Sequence, residues 1–185
     1  MRASVFSGAV VLALAVSPCA LADPQISTGV TVDGAVTNLR DGSGPRPAFH
    51  LGFRGDLLFL RGRDNQMAIG PYVEALTERF NSVDFGGGLE WLIPAIPSLP
   101  FVLSAGPYLR GAEGYGGLQP GIASTLFFGP RSFNFSSVYG MANGIFVQSR
   151  MGLGEAKQAD VLLGVQVDLE ILALPWIFAY QALAH

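Results

Sequence analysis

The chain has 185 residues, of which 50% are hydrophobic, and its 11 basic and 14 acidic side chains give a net charge of −3. This length fits a single domain, and the lack of a basic excess argues against a nucleic-acid partner. Lys157 is the only lysine, whereas soluble β-proteins commonly use lysine to guard exposed strand edges. Together with 24 glycines, this composition indicates surfaces that mostly do not face water.

Residues 1–22 have the pattern of an export signal. Arg2 provides a positive start, residues 9–16 form an apolar core, and Ala20-Leu21-Ala22 fits a small-x-small cleavage site. Cleavage is therefore predicted before Asp23. The apolar core is too short for a membrane-spanning helix, which needs about 20 residues. The remaining residues, 23–185, are expected to form one β-barrel domain.

Cys19 is the only cysteine, and it lies inside the predicted signal. A lipoprotein would be anchored through a cysteine at its cleavage point, but Pro18 precedes this one and the cleavage site after Ala22 fits better. The exported chain is therefore predicted to have no disulfide, no thiolate chemistry and no lipid on its N-terminus.

Residues 160–173 alternate between apolar and polar side chains with a period of two. Val161 and Val165 fall on one parity, whereas Asp168 and Glu170 fall on the other. A strand separates two such sets onto opposite faces, and a helix would scatter them. The same alternation predicts eight strands in all: residues 26–37, 49–59, 67–80, 83–93, 101–111, 119–128, 138–150 and 160–173.

Two features do not fit simple strands. Pro71 and Pro107 lie inside predicted strands, where proline cannot donate to the ladder, so a bulge or a strand end is expected at each. Residues 174–185 follow the last predicted strand. Three roles are open to them: a ninth strand, a short helix on a membrane surface, or a plug at the end of the barrel.

The two faces of the predicted strands differ in side-chain size as well as in polarity. Large aromatics such as Phe53, Phe85 and Trp91 lie on the apolar parity. They would overfill the interior of an eight-stranded barrel, which is only wide enough for side chains, so the polar parity is predicted to point inward. The predicted interior charges, with arginines paired to carboxylates, are His50, Arg54, Asp56, Glu74, Glu90, Arg110, Asp168 and Glu170.

An export signal, alternating strands and Gly-rich turns such as residues 111–117 cover the whole chain. In these features the chain resembles the small bacterial outer-membrane β-barrels. The resemblance implies an all-β fold, an eight-stranded antiparallel up-and-down transmembrane β-barrel with a short C-terminal tail, located in the bacterial outer membrane. It also implies outer-membrane lipid and the barrel-assembly machinery as partners, and a monomer is expected. The chain departs from the family because it ends Gln181-Ala-Leu-Ala-His185 rather than on an aromatic residue of a final strand.

His50 is the one histidine on a predicted inward face, and it admits two interpretations. It could act as a general base, or it could be an interior histidine bonded to a carboxylate such as Asp56 or Glu74. The second is favoured because a base needs a positioned nucleophile. Lipid A deacylases would carry a His-x-Ser pattern on a late strand, whereas His50-Leu51-Gly52 lies early and lacks the serine. The chain is therefore not expected to be an enzyme.

The inward carboxylates also admit two interpretations, a metal or proton-relay cluster and simple ion pairing with Arg54 and Arg110. These carboxylates are Glu74, Glu78, Asp84, Glu90, Asp168 and Glu170. Pairing is favoured because buried carboxylates are rarely left unpaired, and no EF-hand spacing occurs. Neither a metal nor a cofactor is expected. The sequence thus predicts a structural or interaction protein with a closed, charged interior. Two alternatives stay open: a secreted or periplasmic barrel that binds an apolar ligand, and a lipid-modifying enzyme of the outer membrane.

Overall fold

Eight antiparallel strands close into a barrel in chain order, with the last strand paired to the first. The computed structural model describes residues 24–40, 44–96, 99–112, 117–132, 138–154 and 158–184, so the predicted signal peptide lies outside the described residues. The predicted eight-stranded all-β barrel is confirmed. The elements are β1 (Gln25–Thr37), β2 (Arg46–Leu58), β3 (Ala68–Glu78), β4 (Ser82–Ile93), β5 (Phe101–Ala112), β6 (Gln119–Phe128), β7 (Gly144–Gly152), β8 (Ala159–Asp168) and α1 (Leu169–Ala184).

The barrel has two distinct ends. We call the end where β1 begins and β8 finishes the terminal end, and the opposite one the far end. Following the strand register once around the sheet returns to β1 about ten residues farther along. This stagger tilts the strands against the barrel axis and keeps the interior narrow, so that inward side chains from opposite strands meet.

The alternation of side chains decides which face of each strand is buried. On β1 the polar residues Ser27, Thr31 and Asp33 are buried, whereas Val32 and Val36 are exposed. The other strands repeat the arrangement, so polar and charged groups lie inside and large apolar side chains cover the outside. This is the inverse of a soluble barrel, and it is the orientation that side-chain size predicts.

The interior is not polar throughout, because it contains an apolar cluster toward its terminal end. Inward residues near the ends of six consecutive strands, β2 to β7, pack together there, on the same parity as the interior charges. The members of the cluster are Leu58, Ala68, Leu92, Val102, Phe127 and Phe146.

Strands β4 and β5 approach each other unusually closely at two glycines. A Cβ atom on Gly106 would lie 2.1 Å from the carbonyl oxygen of Gly87, and one on Gly88 would lie 2.2 Å from the carbonyl oxygen of Ala105. Both neighbours are backbone atoms, which cannot move aside cheaply. The run of glycines that the sequence placed in β4 therefore serves a bend in which the two backbones touch.

The two prolines inside strands coincide with interruptions of the hydrogen-bonded ladder. Pro107 lies in β5 where the β4–β5 pairing skips from Tyr108 to Ala105. Pro71 lies in β3 directly before Tyr72, at which the β2–β3 pairing stops. Each proline thus sits where one neighbouring strand does not require its missing N–H.

The last strand is shorter than predicted, because β8 ends at Asp168 and the chain continues directly as α1. The Asp168 carboxylate accepts a hydrogen bond from the backbone N–H of Glu170 at 2.8 Å, which is the geometry of a helix N-cap. The tail is therefore neither a ninth strand nor a plug but a helix, and it begins five residues before the predicted tail. Among the helices of the described ranges, none is long and apolar enough to cross a membrane.

Strand β7 also starts later than predicted, at Gly144 instead of residue 138. Since β8 reaches only as far as Gly29 of β1, the first residues of β1 lack a partner on that side. Residues 138–140 fill this place in parallel. The N–H of Ile26 donates to the carbonyl of Val138 and the N–H of Gly140 donates to the carbonyl of Ile26, both at 2.8 Å.

Replacing Gly106 with alanine is expected to lower the free energy of unfolding by about 1–3 kcal/mol, because the new methyl group must displace backbone. Gly34→Ala is the matched control, since a Cβ at this outward position of β1 meets nothing within 4 Å. Denaturant unfolding of the folded barrel in detergent micelles measures both. Equal stability of the two variants would contradict the close approach of β4 and β5.

Candidate functional site

The barrel interior carries a set of charged side chains that we call the interior charge network. Its members come from seven of the eight strands and from the segment that follows β6. Contacts within it are ion pairs and charge-assisted hydrogen bonds between side chains that are mostly buried. The network comprises Asp33, His50, Arg54, Asp56, Glu74, Glu78, Asp84, Glu90, Arg110, Arg131, Arg150 and Asp160.

Arg54 on β2 crosses the interior and joins two other strands. Its Nη2 lies 3.1 Å from Glu90 Oε2 on β4 and donates to the Ser104 hydroxyl at 2.8 Å. Its Nη1 lies 3.6 Å from Glu74 Oε2 on β3, and the guanidinium packs over the ring of Tyr72 at 4.1 Å. The structure thus brings Arg54 together with Glu74 and Glu90, two of the carboxylates that the sequence offered as partners.

Arg131 reaches into the barrel from the segment after β6 and was not predicted as an interior residue. It pairs with Asp56 through both guanidinium Nη atoms, with Nη1 at 3.1 Å from Oδ1, and Nη1 also lies 3.6 Å from Glu90 Oε1. Sequence reasoning missed it because Arg131 lies beyond the last alternating residue of a strand. The only available signal was that a buried aspartate at position 56 needs a cation.

Arg61 is a second buried arginine that was not predicted as an interior residue, because it lies between the second and third predicted strands. Its Nη1 lies 3.4 Å from Gln25 Oε1, and its Nη2 donates to the carbonyl of Asp64 at 3.3 Å. Burial, followed by the nearby positive charge of Arg131, lowers the pKa of this guanidinium from its ordinary value. Arg61 and Arg131 together add positive charge to the terminal end of the interior.

Arg150 on β7 organises the far half of the network. Its Nη2 lies 2.8 Å from Glu74 Oε1, it pairs with Asp84 through Nη1, and its Nε donates to Gln148 Oε1 at 3.1 Å. The guanidinium also stacks over Tyr108 at 4.7 Å. Because Glu74 contacts both Arg54 and Arg150, this one carboxylate connects the two halves of the network.

Arg110 on β5 pairs with Glu78 and Asp84, two carboxylates that the sequence offered as arginine partners, and with Asp160, which it did not. It contacts Glu78 at the edge of the far end, lies 3.8 Å from Asp84 Oδ1 through Nε, and lies 3.6 Å from Asp160 Oδ2 through Nη1. Register decides which of the inward carboxylates Arg110 meets. Arg110 stands directly opposite Asp84 on β4, and a single sequence does not reveal which inward residues face one another across strands.

His50 is buried and bonded to a carboxylate, but neither Asp56 nor Glu74 is its partner. Its Nδ1 lies 2.9 Å from Asp33 Oδ1, and its Nε2 lies 4.0 Å from Glu78 Oε2. Asp33 is the residue opposite His50 on β1, and Glu78 is the residue opposite it on β3. The imidazole is thus held between two carboxylates on its neighbouring strands.

Asp168 and Glu170 do not join the arginines as predicted. Asp168 is buried at the end of β8, where it accepts hydrogen bonds from the Tyr139 hydroxyl at 2.8 Å and the Ala142 N–H at 3.0 Å. Burial, reinforced by that bond to Asp168, raises the pKa of Tyr139, which keeps the phenol a proton donor. Glu170 lies outside the barrel on α1 and is exposed. The strand alternation would have pointed Glu170 inward, but the strand ends at Asp168 and the helix begins at Leu169.

The space that remains inside the barrel is small. A cavity at its centre is lined by polar and apolar side chains, among them Thr31, Arg54, Glu74, Gln148 and Phe146. The centre of a water molecule can occupy a volume of about 20 Å³ in this cavity, which is enough for about one water. Within the described ranges, no group of three His, Cys, Asp or Glu side chains is placed to hold a metal ion.

Comparisons with known proteins add little to this geometry. No family model matches the chain, and no curated protein matches it. A solved structure described as "De novo design of transmembrane beta-barrels" has 10% sequence identity and a TM-score of 0.42, over 77% of this chain and 94% of that chain.

Removing the Arg54 guanidinium is expected to destabilise the barrel by about 3–5 kcal/mol in a dry interior, since Glu90 then loses a partner. Glu90→Gln should partly restore the loss, and a double-mutant cycle should give a coupling energy of about 0.5–3 kcal/mol. Denaturant unfolding of the four variants provides the measurement.

The control cycle combines Arg54→Ala with Asp160→Asn, because Asp160 pairs with Arg110 in the other half of the network. Those two changes should add to within about 0.5 kcal/mol. If the Arg54–Glu90 cycle were equally additive, the two side chains would not form the pair described here.

Proposed function

We propose that this protein is a bacterial outer-membrane β-barrel whose interior is closed to solutes and whose role is structural or in interaction with other envelope components. The observation that carries the proposal is the inverted polarity of the barrel. Charged and polar groups fill the inside and large apolar side chains face outward on every strand. In water this exterior would be a very large exposed apolar surface, which soluble monomers rarely tolerate.

The dimensions and the outer surface support a position across the bilayer. Strands of 9 to 13 residues match the roughly 9–11 residues that a tilted spanning strand needs. Near the terminal end of the barrel, aromatic side chains point outward, among them Trp91, Phe101 and Phe128. Membrane barrels carry an aromatic girdle at such a position. Phe49, Phe80 and Phe85 are exposed toward the far end.

The outer membrane, rather than another membrane, is proposed because of the predicted export signal. A chain with such a signal leaves the cytoplasm, and barrels of alternating strands are the spanning structures typical of the outer membrane. In this position outer-membrane lipid surrounds the barrel, and the barrel-assembly machinery inserts it. The seam between β1 and β8 is closed within one chain, which is consistent with a monomer.

The interior favours a closed barrel over a pore or a carrier of apolar ligands. The apolar cluster and the interior charge network pack the inside of the barrel, and the central cavity between them has space for about one water. An apolar ligand would have to displace buried ion pairs. We therefore assign the interior charges to stability and not to catalysis, and the surfaces left for partners are the end loops and the lipid-facing wall.

A charge at the middle of the lipid-facing wall tests the membrane position. Val165 lies at the centre of β8 and Val161 near its far end, and their exposed fractions are nearly equal, at 44% and 43%. Val165→Arg should cost about 2–4 kcal/mol and Val161→Arg only about 0–1 kcal/mol, because the cost depends on depth in the bilayer. Folding into lipid vesicles, followed by heat-modifiable gel mobility, reports both. Equal tolerance of the two charges would mean that both positions face water.

Planar lipid bilayers test the closed interior. The reconstituted protein is expected to leave the membrane conductance at the level of protein-free bilayers, because side chains fill the barrel from wall to wall. A control reconstitution confirms insertion by protection of the strands from protease. A steady unitary conductance that scales with the amount of inserted protein would overturn the closed barrel.

A further inference from the structure

Among the described parts of the chain, helix α1 makes few contacts with the barrel for its length. It follows β8 without a loop, is capped by Asp168, and packs mainly against the adjoining ends of β8 and β1. At about 1.5 Å per residue, its 16 residues extend for about 24 Å. Most of its side chains are exposed.

The surface of α1 is apolar on every side. From Ile171 to Ala184 the helix has no charged side chain. Trp176 and Leu183 lie on one face and Phe178 on the opposite face, and their exposed fractions are 78%, 88% and 63%. A helix that is hydrophobic all round belongs in apolar surroundings on all sides, whereas one that packs on a protein needs a single apolar stripe.

Lipid is the partner whose chemistry matches this surface. A second copy of the chain, or another protein, would cover one face of α1 and leave the opposite face in water. Acyl chains cover all faces together. The helix also starts where the lipid-facing wall of β8 ends, so the outward residues Val165 and Val167 lead directly into Leu169.

We propose that α1 is embedded in the membrane leaflet at the terminal end of the barrel, lying within that leaflet as a second lipid contact beside the strands. This inference rests on the proposed membrane position of the barrel. Trp176 and Tyr180 are one turn apart on the same face, and such aromatic side chains are enriched at the boundary between acyl chains and headgroups. That face is turned toward the headgroups, and the face with Leu174 and Phe178 is turned toward the acyl chains.

The two tryptophans of the chain allow the strands and the helix to be tested separately. Trp91→Phe leaves Trp176 on α1 as the only tryptophan, and Trp176→Phe leaves Trp91 on the outer wall of β4. Each full-length variant is folded into phosphatidylcholine vesicles whose acyl chains carry bromine, which quenches tryptophan on contact. Trp91→Tyr replaces Trp91→Phe if the latter fails to fold, as judged by heat-modifiable mobility.

The expected result is quenching of Trp176 comparable to that of Trp91, with little further quenching by aqueous acrylamide and no dependence on the protein-to-lipid ratio. Quenching of Trp91 with Trp176 open to acrylamide would overturn the embedding of α1 and leave the membrane barrel intact. Protection of Trp176 that grows with the protein-to-lipid ratio would assign the helix to a second copy and would also overturn it. Absence of quenching at both positions would overturn the proposed membrane position itself.

Discussion

The pairing of charges inside a narrow barrel is the constraint on which the rest of this structure depends. Eight tilted strands enclose a space only wide enough for side chains, and here arginines and carboxylates occupy most of it. A charge in such a place must be paired or it costs several kcal/mol. The register of the closed barrel brings opposite charges within reach of one another, and the small residues of the inner face leave room for them.

One glycine illustrates how closely the inner wall fits its contents. A Cβ on Gly121 would lie 2.3 Å from Cζ of the Tyr108 ring. The same ring packs against this glycine and stacks with the Arg150 guanidinium. The wall and the network are thus packed as a single body, and polar groups inside the barrel take the place that an apolar core has in a soluble protein.

The sequence predicted the strand count and the two faces because both follow from a period of two, which each strand carries in its own residues. It predicted that arginines and carboxylates pair inside the barrel but did not assign the individual pairs, because pairing depends on register between strands. His50 bonds to Asp33 rather than Asp56 only because β1 and β2 align those two residues. Arg131 and Arg61 were missed for a related reason, since they lie outside the strands and no alternation marks a loop residue as inward.

The end of β8 shows a different limit. Apolar residues keep the strand parity through Leu169 and Ile171, so the alternation gave no reason to stop the strand. The strand stops because the Asp168 side chain caps a helix and because its other oxygen atom bonds to the Ala142 N–H. A local hydrogen bond and a contact with a residue distant in sequence thus end the strand although the two-residue alternation continues. Neither of them is visible in a hydrophobic pattern.

The same aspartate has a consequence for the order in which the chain assembles. Tyr139 and Ala142 precede β7, whereas Asp168 is the final residue of β8. These bonds continue the register of the β7–β8 hairpin, which runs from the Gly144–Gln166 pair toward Ala142 and Asp168, so they can form before the barrel closes. The Tyr139 hydroxyl also donates to the carbonyl of Thr28, and the backbone of residues 138–140 is hydrogen-bonded to Ile26 of β1. These contacts with β1 can form only when the last strands have reached the first one, so a barrel halted one strand short would lack them.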